Sequence, residues 1–226
     1  MKKIVIEQTK TIRQKVYEHL KDAIFYGEYK PGDRLVESEI GKSIGTSRTP
    51  VREALHTLER EKLISSIPRV GYIVNEISLK DFDELCEIRI VLEGLALRWG
   101  MEKKPQQLLS ALRQNISKAK QQIDAGNIKT FIEIDTAFHD IIGDLGGSEH
   151  LRELIKNVRR YVIYFRVHSI NQIANVNSII AGHKAILEAV EKGDMEGVQV
   201  AFKNHVYQSK EDIKQYQKIK EETKTT

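Results

Sequence analysis

The sequence predicts a mainly α-helical protein, with an N-terminal winged helix-turn-helix followed by a six-helix antiparallel bundle. Three observations lead there. Apolar residues recur at helical spacing along most of the chain, the strand-like runs lie together between residues 63 and 74, and glycine or proline punctuates the helical stretches. A chain of 226 residues with 40% hydrophobic composition can bury two cores. We assign residues 1–76 to the winged domain, 77–220 to the bundle and 221–226 to a polar tail.

Taken in order, Ile12, Val16, Leu20, Ala23 and Ile24 mark a first helix that Gly27 closes before the turn Tyr29-Lys30-Pro31-Gly32. A short helix is expected to begin in Leu35-Val36-Glu37-Ser38-Glu39-Ile40 and to end near Ile44-Gly45. A third helix follows at once, with Thr46 or Ser47 as its cap and Pro50 tolerated in the first turn. Two short helices joined through a glycine-containing turn form a helix-turn-helix. The runs 63–67 and 71–74, joined through Pro68-Arg69-Val70, read as a two-stranded wing.

From Ser78 the pattern is helical. Ser78-Leu79-Lys80-Asp81 is a capping box, and Phe82, Leu85, Ile88, Leu92, Leu95 and Trp99 continue the first bundle helix until Pro105 interrupts it. Five further helices follow over Leu108 to Ala125, Thr130 to Leu145, Ser148 to about His168, Val176 to Lys192, and Met195 to about Gln217.

The net charge of +4 is too small to establish a nucleic-acid partner by itself, although most of the excess lies in residues 1–76. Cys86 is the sole cysteine, which excludes an internal disulfide framework. No eighteen-residue apolar run and no signal-like segment stands out, so a soluble cytoplasmic protein without a membrane partner is expected.

The third helix has two faces. Val51, Leu55 and Leu58 point inward, while Arg48, Thr49 and Arg52 point outward at the end that enters a major groove. Arg48 and Arg52 are one turn apart, and a guanidinium matches the two acceptors on guanine. Thr46, Ser47 and Thr49 lie at the helix N-terminus, where N–H groups favour phosphate. Arg69 at the wing tip is placed for a minor groove, Gly71 for close backbone approach to DNA, and Arg34 for a phosphate. The bland alternative is a solvated face in which Arg52 pairs with Glu53 or lies beside His56.

At this point the sequence resembles the GntR family of bacterial transcription regulators. The resemblance rests on Pro31-Gly32-Asp33-Arg34-Leu35, Glu37-Ser38-Glu39, Ser47 to Leu55, Leu58-Glu59 and Gly71. The helical part resembles the FCD-type effector domain of the FadR subfamily, through Glu87-Ile88-Arg89, Leu92-Glu93, Asp135-x-x-x-His139 with Phe138, His183 after Ala181-Gly182, and His205. A count of six helices resembles the VanR-type branch. Two positions depart from the family pattern: Gly146-Gly147-Ser148 replaces a more common turn, and His56 stands where arginine is usual.

Asp135 and His139 lie four apart on one face among Phe131, Phe138 and Ile142, while His183 and His205 continue apolar stripes of two other helices. One carboxylate and three imidazoles do not share an apolar core without a partner. A divalent cation is that partner, Zn²⁺ first, with Ni²⁺, Mn²⁺ or Fe²⁺ also accommodated. The resemblance places Arg89 at the effector pocket, where a guanidinium and a metal clamp a small carboxylate. The alternative for Arg89 is an ion pair with Glu93 on the helix surface. Arg160, Tyr161 and Tyr164 are further residues of the next-but-two helix that spacing does not single out.

The expectation is therefore a homodimeric, operator-binding regulator, a repressor by family habit, whose affinity for double-stranded DNA answers to a small organic acid. A purely structural metal with no effector is one alternative, and a metal-dependent enzyme fused to a DNA-binding domain is the other.

Overall fold

A computed structural model describes residues 10–169 and 173–224. The chain divides into two compact units, Met1–Ile77 and Ser78–Thr226.

The first unit contains α1 (Ile12–Phe25), β1 (Arg34–Leu35), α2 (Glu37–Ser43), α3 (Arg48–Arg60), β2 (Ile64–Ile67) and β3 (Gly71–Val74). Thr11 caps α1 by accepting the Gln14 amide, and Val16, Leu20, Ala23, Ile24 and Phe25 form its buried face. That face packs on Val51, Ala54, Leu55 and Leu58 of α3, which makes α1 the support for α3. Lys21 is buried, and its ammonium is met by Glu61 at 2.6 Å and by the Tyr17 hydroxyl at 2.7 Å. The start of the second helix differs from the expectation. Arg34 and Leu35 form a strand, antiparallel to β3 with Leu35 opposite Tyr72, and the helix begins two residues later at Glu37. The edge of β3 offers backbone partners to Arg34-Leu35, and Leu35 is buried against the sheet. The sheet order is β1-β3-β2, so the wing hairpin carries one strand more than its own two.

The second unit contains α4 (Leu79–Lys103), α5 (Pro105–Asp124), α6 (Ile128–Leu145), α7 (Glu149–Ser169), α8 (Ile173–Glu191) and α9 (Met195–Lys224). Ser78 and Asp81 complete the capping box of α4, each side chain accepting the other residue's backbone N–H. Pro105 sits in the first turn of α5, where its missing N–H costs nothing. Residues 221–224, assigned to a polar tail by composition, continue α9 as helix, in keeping with the good helix formers Lys and Glu in that stretch. Residues 225 and 226 lie outside the described residues.

α4 packs against α6, α7 and α9, and α8 against α5 and α9. Phe82, Phe131, Phe138 and Phe202 are fully buried between these layers. Each contributes about 1.5–3 kcal/mol relative to exposure. Within this apolar interior lie Arg89, Glu93, Asp135, His139, Arg159, Arg166, His183, His205 and Ser209, all buried and all polar.

Candidate functional site

The outward face of α3 is built as the sequence reading requires, with one addition. Ser47 holds the N-cap position but its side chain makes no capping bond, so a first-turn N–H that the hydroxyl would otherwise take is left to an outside acceptor. Ser47, Arg48, Thr49 and Arg52 are exposed and Thr46 is half-buried. Arg52 pairs neither with Glu53 nor with His56. Its Nε and Nη2 donate to Glu37 on α2, both at 2.9 Å, which fixes the guanidinium across the helix-turn-helix. This pairing holds the Glu37 carboxyl below its ordinary range, chiefly through the bond to Arg52. His56 instead lies 3.5 Å from Glu59 and against the edge of Tyr72.

At the wing, Arg69 is exposed and adopts a left-handed backbone, φ +65°. Arg34 donates through Nε to the Val70 carbonyl, tying β1 to the wing turn. Gly71 has an internal reason to be glycine: its φ is +113°, and a Cβ there would lie 2.9 Å from the Leu35 carbonyl oxygen. The close approach seen here is to the backbone of β1.

The buried centre of the bundle joins five helices, α4, α6, α7, α8 and α9. His139 on α6, His183 on α8 and His205 on α9 each offer a ring nitrogen, and these atoms lie within 4.8 Å of one another. Gly182 makes this possible, because a Cβ at that position would stand 2.5 Å from His205 Nδ1. Phe138 stacks on the His183 ring at 3.6 Å between centroids. His139 donates Nδ1–H to Glu93 Oε2 at 2.6 Å, and its Nε2 accepts from Arg89 Nη2 at 2.8 Å. Glu93 therefore orients this imidazole as the outer carboxylate does in carboxylate–histidine–metal arrangements.

Asp135 lies with this cluster. One carboxylate oxygen meets Arg166, and Oδ1 is 3.5 Å from His183 Nε2. Arg166 also donates to Ser209 at 3.0 Å. Burial alone would raise the Asp135 pKa, but the Arg166 guanidinium holds it well below the usual carboxylate range. Burial pushes His183 down to about 3 and His139 and His205 well below their ordinary value. At neutral pH the site thus holds one carboxylate and three neutral imidazoles, the protonation state that a divalent cation takes.

The fit to a metal can be tested atom by atom. Among the described residues, Asp135 Oδ1, His183 Nε2 and His205 Nε2 are buried without a hydrogen-bond partner. Two of these atoms belong to the histidine cluster and the third lies 3.5 Å from His183 Nε2, and such unsatisfied buried atoms are costly unless a shared cation satisfies them. The fourth donor, His139 Nε2, is occupied by Arg89, so this arginine must release it for His139 to ligate as well.

Arg89 does pair with Glu93, but in the interior: its side chain is 2% exposed. Glu93 is drawn inward because it serves His139 as well. α7 also contributes to the centre. Its inner stripe, Leu151, Ile155, Arg159, Val162 and Arg166, brings Arg159 and Arg166 to the centre. Arg159 bonds the Thr136 carbonyl at 2.7 Å and Asp140 at 3.0 Å. The i,i+7 spacing of two arginines on an apolar stripe is the signal that would have found them. A cleft of about 160 Å³ lined by Asp140, Gly143, Asp144, Arg152, Ile155 and Lys156 adjoins Asp140 and includes none of the histidines.

Comparison with known proteins gives the family. Residues 12–74 match the bacterial regulatory proteins of the gntR family, and residues 84–208 match the FCD domain. The chain is 32% identical over 191 residues to the uncharacterized HTH-type transcriptional regulator YdhC of Bacillus subtilis, covering 84% of each chain. It is 26% identical to the HTH-type transcriptional repressor RspR of Escherichia coli, covering 93% of this chain and 92% of that one. Among solved structures, that of McbR/YncC from Escherichia coli superposes with a TM-score of 0.77 at 25% identity, covering 92% of this chain and 99% of the other. Among the described residues no helix is long and apolar enough to cross a membrane. The chain belongs to the GntR family with an FCD domain and is a DNA-binding transcription regulator, not an enzyme.

Proposed function

We propose that the chain is a cytoplasmic repressor that binds a two-fold operator as a homodimer and releases or tightens its grip when a small carboxylate enters the buried centre of residues 77–220. The reading is carried by the three orphaned acceptors, Asp135 Oδ1, His183 Nε2 and His205 Nε2. With His139 they would hold a divalent ion, Zn²⁺ in the first instance, which supplies a Lewis-acid anchor for an anionic ligand. Charge balance supports a carboxylate. Arg89 is answered by Glu93, Arg166 by Asp135 and Arg159 by Asp140, so the imidazoles leave a bound cation largely uncompensated. An anion offsets it. Arg89, displaced from His139 Nε2, would clamp that anion from the α4 side. In the DNA-binding unit, Arg48 and Arg52 would read bases, Thr46, Ser47, Thr49 and Arg34 would take phosphates, and Arg69 beside Gly71 would enter a minor groove.

The effector shifts operator affinity only by binding one dimer state better than the other. The test measures metal content by mass spectrometry for wild type and His183→Ala, then operator binding by fluorescence anisotropy with citrate, malate, lactate and pyruvate, with and without chelator. Near-stoichiometric metal in wild type alone, and a carboxylate effect that chelator removes, is the expected result. Metal without any carboxylate effect would leave a purely structural ion, and no metal in either protein would sink the site.

A further inference from the structure

Arg166 on α7 and Ser209 on α9 are buried polar residues that lie outside the histidine cluster. Arg166 forms an ion pair with one carboxylate oxygen of Asp135, Oδ2. The other oxygen, Oδ1, has no hydrogen-bond partner and lies 3.5 Å from His183 Nε2. The arginine is itself held. Its Nη2 donates to Ser209 Oγ at 3.0 Å, and a guanidinium withdrawn from its acceptors in this interior would be left as a bare charge. Ser209 stands one turn beyond His205 on α9, so the helix that offers an imidazole to the centre also anchors the arginine.

A carboxylate can give a cation one oxygen or two, and the number matters to the ion. Zn²⁺ is satisfied by four nitrogen, sulfur or oxygen donors, whereas oxygen-seeking ions take six or more and use carboxylates in both modes. Mn²⁺ belongs with the second group, suited by carboxylate, carbonyl and water, while imidazole suits Zn²⁺. With Oδ2 engaged by the guanidinium, Asp135 has a single oxygen to offer, and the three imidazoles supply the remaining donors. The guanidinium also draws the carboxylate's charge toward itself, which weakens the one hard donor of the set and leaves the nitrogens as they are.

We infer that Arg166 determines which ion the buried centre prefers: it holds Asp135 to one free oxygen, is anchored in turn by Ser209, and so biases the site toward Zn²⁺ and against Mn²⁺. This role presupposes the metal reading proposed above. Arg166 acts through Asp135 and is a positioning residue. The test strips the full chain of metal with chelator and measures dissociation constants for Zn²⁺, against a chromophoric chelator, and for Mn²⁺, by calorimetry. It compares wild type with Arg166→Met, Arg166→Lys and Ser209→Ala. Arg166→Met frees the second oxygen and should narrow the preference for Zn²⁺ over Mn²⁺ by about tenfold or more, the scale on which outer-shell partners act. Its Co²⁺ complex should lose visible absorption relative to wild type, as a cobalt ion does on moving from four donors to six. Arg166→Lys keeps a cation beside Oδ2 and should retain most of the preference, while Ser209→Ala should narrow it by less than Arg166→Met. Equal losses for both ions, with the ratio and the cobalt spectrum unchanged, would make Arg166 a packing residue and overturn the role while leaving the metal in place. If Arg166→Met loses its helix content by circular dichroism, Ser209→Ala decides alone, because Asp135 keeps its arginine there, and an unchanged ratio overturns the role. A wild-type chain that binds neither ion would remove the metal reading, and this role with it.

Discussion

Arg52 and Arg89 make the same kind of bond in opposite surroundings. Arg52 reaches Glu37 across two short helices with its side chain 58% exposed, and Arg89 reaches Glu93 one turn along the same helix with 2% exposed. In water such a pair contributes little, so Arg52 can exchange Glu37 for a base or phosphate at small cost. In the interior the partner cannot be removed without leaving a bare charge. Evenly matched charges therefore serve two ends: on α3 they orient an exposed guanidinium that can change partners, and in the bundle they fix a buried imidazole in place.

The contrast can be broken most forcefully from the inside. Glu93→Ala strips both Arg89 and His139 of their acceptor and should cost about 3–5 kcal/mol in chemical denaturation, the usual penalty for orphaning a buried charge. A loss below 1 kcal/mol would mean that water reaches the pair and that the interior is not as dry as its burial implies. Next in size is Gly182→Ala, whose added methyl displaces His205. It should destabilise by about 1–3 kcal/mol as overpacking does, and should lower metal content more than stability alone explains.

Acid sharpens the same point. The three histidines titrate well below their unfolded value, about 6.5, so the unfolded chain binds protons that the folded chain refuses. Stability of the metal-free protein should therefore be full above about pH 6.5 and fall as pH drops below it, continuing downward as Asp135 is also forced to protonate. A flat thermal midpoint between pH 7 and pH 5 would contradict the burial of these rings.

On α3 the effect should appear in binding and not in folding. Arg52→Ala should weaken the cognate operator by roughly tenfold or more and relax base preference, while the thermal midpoint hardly moves. Glu37→Gln separates orientation from charge: if the carboxylate positions Arg52, discrimination between operators should fall even though total positive charge rises. The smallest effect expected is at Cys86. Burial raises its thiol to about 11, so native protein at pH 8 should resist iodoacetamide while the unfolded chain reacts.

Much of this was legible in the chain. Helical periodicity with Gly and Pro punctuation gave α1 and the six bundle helices, and Ser78-x-x-Asp81 gave the start of α4, because these signals act within one turn of the residues that carry them. The inward setting of Asp135 and His139 followed from four-residue spacing, and the apolar neighbours of His183 and His205 placed those rings in the core. Local patterns of that kind survive folding unchanged. What the sequence did not reveal were the partners. Arg52 finds Glu37 fifteen residues earlier, Glu93 finds His139 forty-six residues later, and Asp135 finds Arg166 on the next helix. The strand at Arg34-Leu35 exists only because β3 lies beside it, and Gly71 is glycine because of that same strand. Propensity and spacing describe what one element can do with water or core on its two sides, and so they determined the elements and their faces. Which charge answers which is decided by burial between elements, where an unanswered group costs several kcal/mol, and that is a property of the packed tertiary structure.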